Sequence, residues 1–141
     1  MGQGVIDFGE SVGAANVVKV AGNFMIVSSM EMMAEAYTLA EKNGLDRNQV
    51  ADFFSSTLFN APIFQNYGKL IANKQYEPVG FKAKLGYKDA RLAFKLAQQS
   101  ETPMPFVNTV YNRLLTAVAK GQGERDWVEG VSRGVTDDAG L

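Results

Sequence analysis

Two chemistries are missing from these 141 residues at the outset. There is no cysteine, so no disulfide, thiol nucleophile or thiolate-held metal can operate. There is no histidine either, which removes imidazole metal ligands and every triad built on a histidine base. No metal site is expected. An excess of one charge is missing too. Fourteen basic residues against 15 acidic leave a net charge of −1, with no basic field to hold a phosphate backbone, so nucleic acid is not expected as a partner. The opening Met1–Phe8 has neither a basic cluster nor a long apolar run, which does not fit a signal peptide. The absence of cysteine suits a reducing cytoplasm, the expected location. Hydrophobic residues at 46% and charged residues at 21% are ordinary for one soluble globular domain with a real core.

What is present is dominated by one segment, Val12–Ala40, almost entirely apolar. It is long enough to span a bilayer. It also carries Asn16, Lys19, Asn23, Glu31 and Glu35, and each central charge would cost roughly 2.5–3.5 kcal/mol in lipid. No membrane is expected, and the segment reads as the long central helix of a soluble domain, running from about residue 13 to 42 and stopped by Asn43-Gly44. Asp46 is a candidate N-cap for a second helix, and Ala61-Pro62 opens a third. A fourth covers about 82–99, and Pro103 and Pro105 precede a fifth over about 106–120. Asp126 can cap a last short one. The fold class is therefore all-α, one long helix with four to five shorter ones. Val5-Ile6-Asp7-Phe8 reads as a short strand with no partner in the chain. Residues 1–12 are expected to be a linker or last-strand remnant, 13–133 the helical domain, and 134–141 a frayed tail rich in Asp and Gly.

Asn16, Lys19 and Asn23 are three and four residues apart, which places them on one stripe of the long helix. A lysine there either reaches water or loses solvation, and a desolvated ammonium moves toward a pKa suited to acid–base work. On spacing alone a solvated polar stripe accounts for it equally well. Phe81, Lys84 and Lys88 fall near one face of the fourth helix, where an aromatic ring and two cations could hold an anion or simply form a solvated basic face. Asp89 could orient Lys88. Met25, Met30, Met32 and Met33 suit a core or subunit interface. The chain contains no G-x-G-x-x-G, G-x-x-x-x-G-K-[ST] or G-x-S-x-G, so nucleotide chemistry would need residues outside it.

In order along the chain, Phe8-Gly9-Glu10-Ser11-Val12-Gly13, Lys19 with Asn23, Glu35-Ala36, Leu39-Ala40, Gly44-Leu45-Asp46, Phe81 and Lys88-Asp89 before Leu92-Ala93 resemble the C-terminal helical domain of the β-hydroxyacid dehydrogenases, the 3-hydroxyisobutyrate dehydrogenase-like family. Gly13-Ala14-Ala15 departs from that family's usual glycine-rich turn. The resemblance implies an oxidoreductase moving hydride between NAD or NADP and a small β-hydroxy acid or its semialdehyde. It implies Lys19 as the catalytic residue, Asn23 and Gly13 at the substrate, and Lys88 and Phe81 toward the cofactor. It also implies a nucleotide-binding domain that these residues do not include, without which this chain is expected to be inactive, and a homo-oligomer. The competing reading is a stand-alone, non-catalytic helical module for dimerisation or ligand binding.

Overall fold

The computed structural model describes residues 4–141. Six helices account for the architecture: α1 Ala14–Lys42, α2 Arg47–Ser56, α3 Pro62–Asn73, α4 Ala83–Gln99, α5 Pro105–Ala119 and α6 Trp127–Asp138. Among the described residues there is no strand, only an isolated bridge between Lys82 and Asp126. The all-α class is as expected, with five shorter helices around the long one.

Local chemistry sets the boundaries. At the end of α1 the Leu45 amide donates to Ala40 O at 3.0 Å and the Asn43 side chain to Leu39 O at 2.8 Å, occupying carbonyls that a continuing helix would have bonded. Asp46 caps α2, accepting from the Asn48 and Gln49 amides at 2.7 and 3.2 Å. Pro62 and Pro105 open α3 and α5, where a missing N–H is harmless.

α1 packs against all five other helices. By length and composition it could cross a membrane, but here it is the axis of the bundle. Met30, Ile71, Leu114, Val128 and Val131 form the sealed centre. The buried face of α4 is a row of small residues, Ala83, Gly86, Ala90, Ala93 and Ala97, which lets its backbone come close to its neighbours. Gly86 is the tightest point: a β-carbon there would lie 3.0 Å from Trp127 Cε3.

Two expectations at the chain ends are corrected. Residues 5–8 form no strand, and the stretch 4–13 is exposed, because a short β-type run has no partner strand among the described residues to pair with. Residues 1–3 of the linker stretch lie outside the described residues. The C-terminal residues are not a frayed tail. Helix α6 continues to Asp138, whose carboxylate meets Arg113 at 2.7 Å, and Lys42 Nζ donates to Ala139 O at 3.0 Å. These long-range partners outweigh the polar local composition.

Candidate functional site

The helix that carries the polar stripe starts from Gly13, which sits at φ +93°, in the left-handed region that favours glycine. Nothing lies within 4 Å of where its β-carbon would be, so the constraint is the backbone and not the space. From this turn α1 exposes Asn16 and Lys19 while burying Val20 against Ala93 of α4 and Val107 of α5. Phe24 joins the same cluster a turn later. Apolar contacts on one side of α1 thus fix the direction of the polar stripe on the other.

Asn23 comes next on the stripe, half-buried at the seam with α4. Its Nδ2 donates to Asp89 Oδ2 at 2.9 Å, joining residues 66 positions apart. A carboxylate can only accept, so this bond fixes the amide: the nitrogen points to Asp89, and the Oδ1 acceptor is left for another donor. Lys19 lies one turn before Asn23, and Lys88 immediately precedes Asp89. Both lysines are exposed, and neither forms an ion pair or hydrogen bond among the described residues. In this chain, then, the stripe lysine reaches water. The Asn23–Asp89 bond joins α1 to α4, with exposed Lys19 one turn before Asn23 and exposed Lys88 next to Asp89 in sequence.

The other predicted residues lie elsewhere. Phe81 precedes α4, and Asp89 lies six residues into that helix from Ala83, about 9 Å along its axis. The Phe81 ring packs edge-on against Trp127 with centroids 4.7 Å apart. Its carbonyl accepts from the Trp127 amide at 2.8 Å and its amide donates to Asp126 at 3.2 Å. Phe81 is thereby a strut between the start of α4 and the start of α6, with part of its surface still open. Lys84 is not free to join Lys88 around an anion, because Glu124 takes both Lys84 and Lys82, the latter at 2.7 Å. Hydrogen bonds from these two lysines hold the Glu124 carboxyl down at about 2. A basic face at helical spacing is here an ion-pair cluster closed by a residue 40 positions away.

Asp89 is the residue whose role sequence reasoning missed. Its place beside Lys88 was visible, but its bond runs across the seam to Asn23, and only the packing of α1 on α4 reveals that.

The described residues thus form an all-helical domain with an open patch of two exposed lysines beside a hydrogen-bonded amide and carboxylate. The particular family follows from comparison with known proteins. Residues 13–132 match the family model described as "NAD-binding of NADP-dependent 3-hydroxyisobutyrate dehydrogenase", and the chain belongs to that family. It is 35% identical over 127 residues to an uncharacterized oxidoreductase of Bacillus subtilis, covering 90% of this chain and 44% of that protein. It is 30% identical over 127 residues to glyoxylate/succinic semialdehyde reductase 2 of Arabidopsis thaliana, covering 90% of this chain and 35% of that one. In fold it resembles the crystal structure of 3-hydroxyisobutyrate dehydrogenase from Salmonella typhimurium, with a TM-score of 0.77 at 22% identity over 88% of this chain and 43% of the other. The chain spans less than half the length of the curated relatives it matches. NAD or NADP is the cofactor of the family.

Proposed function

We propose that this chain is the helical substrate domain of an NAD(P)-dependent β-hydroxyacid dehydrogenase, working with a nucleotide-binding domain to interconvert a small β-hydroxy acid and its semialdehyde. The observation that carries the reading is the Asn23–Asp89 bond beside two exposed, unpaired lysines. When bound, the nicotinamide supplies the hydride acceptor or donor. Everything else at this site is proton handling and orientation.

Lys19 Nζ as the free amine takes the proton of the substrate hydroxyl in oxidation, and as the ammonium returns it to the carbonyl oxygen in reduction. Its positive charge also stabilises alkoxide character on that oxygen. Asn23, whose Nδ2 is pinned on Asp89 by one hydrogen, keeps a second N–H that can donate to the substrate oxygen and so leaves the hydroxyl proton to Lys19. Lys88 and the open edge of Phe81 fit the cofactor side, the former as a free cation suited to a pyrophosphate or carboxylamide oxygen. A second domain closing over Lys19 would strip water from it and strengthen its interaction with the substrate oxygen.

The test is turnover of the two-domain enzyme with Lys19→Ala. The reading requires a loss of about 10²–10⁴-fold in kcat with the fold retained. Unchanged turnover would leave Lys19 as a surface residue and favour the non-catalytic module.

A further inference from the structure

A second group of charges gathers at α6, facing the loop between α3 and α4. Arg125, just ahead of the helix, and Glu129 and Arg133 within it are four residues apart and share one face. Glu129 is buried, and its single oxygen Oε1 receives Arg125 Nη1 at 2.6 Å and Arg133 Nη2 at 2.8 Å. The two bonding nitrogens can therefore stand no further apart than those bonds laid end to end. One carboxylate cancels only one of the two positive charges. The remaining N–H donors of both arginines have no other acceptor among the described residues, and the side chains are 48% and 45% exposed.

The facing wall repeats the imbalance. Lys74 closes α3 at φ +54°, in the left-handed region that a residue with a β-carbon seldom adopts. Its Nζ shares the Glu41 carboxylate with buried Arg47, at 3.2 and 2.5 Å. Lys74 to Glu77 line one side of a cavity of about 530 Å³, and Arg125, Glu129 and Arg133 line the other. Tyr76 ties the two sides, its hydroxyl donating to Ser132 Oγ at 3.1 Å. Burial pushes that hydroxyl up, and the charges of Arg47 and Arg133 act in the opposite sense. Four cations thus surround two carboxylates, in a chain whose net charge is −1. Exposed Glu77 is the one further carboxylate lining the cavity among the described residues, and none of Lys19, Asn23, Lys88 and Asp89 lines it.

We propose that this cavity is a binding site for a phosphate group, separate from the reaction patch. A phosphate monoester carries about −1.5 to −2 charges at neutral pH, which matches the surplus on the two walls. Its tetrahedral oxygens can accept from two guanidinium forks at once, whereas a carboxylate presents two oxygens in one plane and fills a single fork. Glu129 grips both arginines from the buried side, so the cost of ordering them is already met before a ligand arrives. Gln75 and Lys74 add donors from the opposite wall. Glu77 is the opposing group, and its charge repels the ligand. The inference does not rest on the dehydrogenase reading. Its experiment measures binding and not turnover, so the two fail separately.

The test is an NMR titration of the 141-residue chain with inorganic phosphate at constant ionic strength, following the arginine Nε–H signals. Saturable shifts at Arg125 and Arg133 are expected, with a Kd of about 1 mM or tighter, and none with acetate. Arg133→Gln is expected to weaken binding about tenfold, the scale of one charge-assisted hydrogen bond. Should that variant misfold, Arg133→Lys decides, since it keeps the charge beside Glu129 and loses the fork; it is expected to weaken binding several-fold. Glu77→Gln is expected to tighten it, and Arg91→Gln, on the exposed face of α4, to leave it unchanged. Glycerol 3-phosphate separates the sources: tighter binding than inorganic phosphate assigns the site to an organic ester, and equal binding to the free ion. The absence of saturation overturns the proposal, as do equal shifts with acetate. So does a loss at Arg91→Gln matching that at Arg133→Gln, which would mark a general effect of charge.

Discussion

Two sets of charges on the long helix were settled in opposite ways. Near its middle, Glu31 is buried and gripped by Arg113 of α5, whose Nη2 donates at 2.8 Å and Nε at 3.1 and 3.2 Å; Arg113 also reaches Asp138 of α6 at 2.7 Å. Burial pushes the Glu31 carboxyl up, and Arg113 pulls against that rise. Three helices are tied by one network. Three turns earlier, Lys19 has water for a partner, and Asn23 spends one amide nitrogen on Asp89 while keeping its oxygen free. Polar groups satisfied inside the chain tie its helices together, and those left open at the seam are the ones the proposed reaction uses. The helix is the same, and the difference lies in what its neighbours supply.

The sharpest way to break this contrast is to exchange the consequences. Lys19→Ala in the two-domain enzyme is expected to remove about 10²–10⁴-fold of kcat and to leave the thermal midpoint of the domain unchanged, checked by steady-state kinetics and calorimetry. Arg113→Met is expected to do the reverse locally, stranding a buried carboxylate and costing about 3 kcal/mol of stability. In a domain of this size that is a fall of roughly 10 °C in Tm, read by calorimetry; a fall under a degree would mean Glu31 is adequately solvated without its partner.

Asp89→Leu tests the boundary between the two regions. With its acceptor gone the Asn23 amide can rotate, so kcat/KM should fall about tenfold, the scale of one lost orienting hydrogen bond. Asp89→Asn should recover part of this, because its carbonyl can still accept. The smallest effect is expected at Glu124. Its carboxyl is ordinarily near 4.5 and is held at about 2 when folded, so its contribution is whole above 4.5 and is lost as pH falls toward about 2. Glu124→Gln should flatten that part of the acid limb of Tm against pH, and an unchanged acid limb would show the lysine clamp to be without weight in solution.

Much of the fold was legible because its signals are local. Asn43-Gly44, Asp46, Pro62 and Pro105 mark ends by capping and missing donors, and the 3.6-residue period put Asn16, Lys19 and Asn23 on one stripe. What could not be read depends on partners distant in sequence. Asn23 finds Asp89 66 positions on, Arg113 finds Glu31 82 positions back, and Glu124 claims Lys84 from 40 away. The last residues looked frayed by composition but are held by Arg113 and Lys42. Val5–Phe8 misled in the other direction, since a β-type composition makes a strand only where another strand can accept it.

The buried carboxylate of Asp126 divides its oxygens between two helices. One accepts from the Val128 amide and caps α6, while the other gathers the amides of Gly80 and Phe81 at 2.8 and 3.2 Å, just ahead of α4. The final helix and the helix carrying Lys88 and Asp89 therefore share a single anchor. A chain cut short before residue 126 would keep every residue of the patch in its sequence, yet lose the fixture that aims α4 at Asn23. The last ninth of the molecule, residues 126–141, holds none of the patch residues, and the patch depends on it for its alignment.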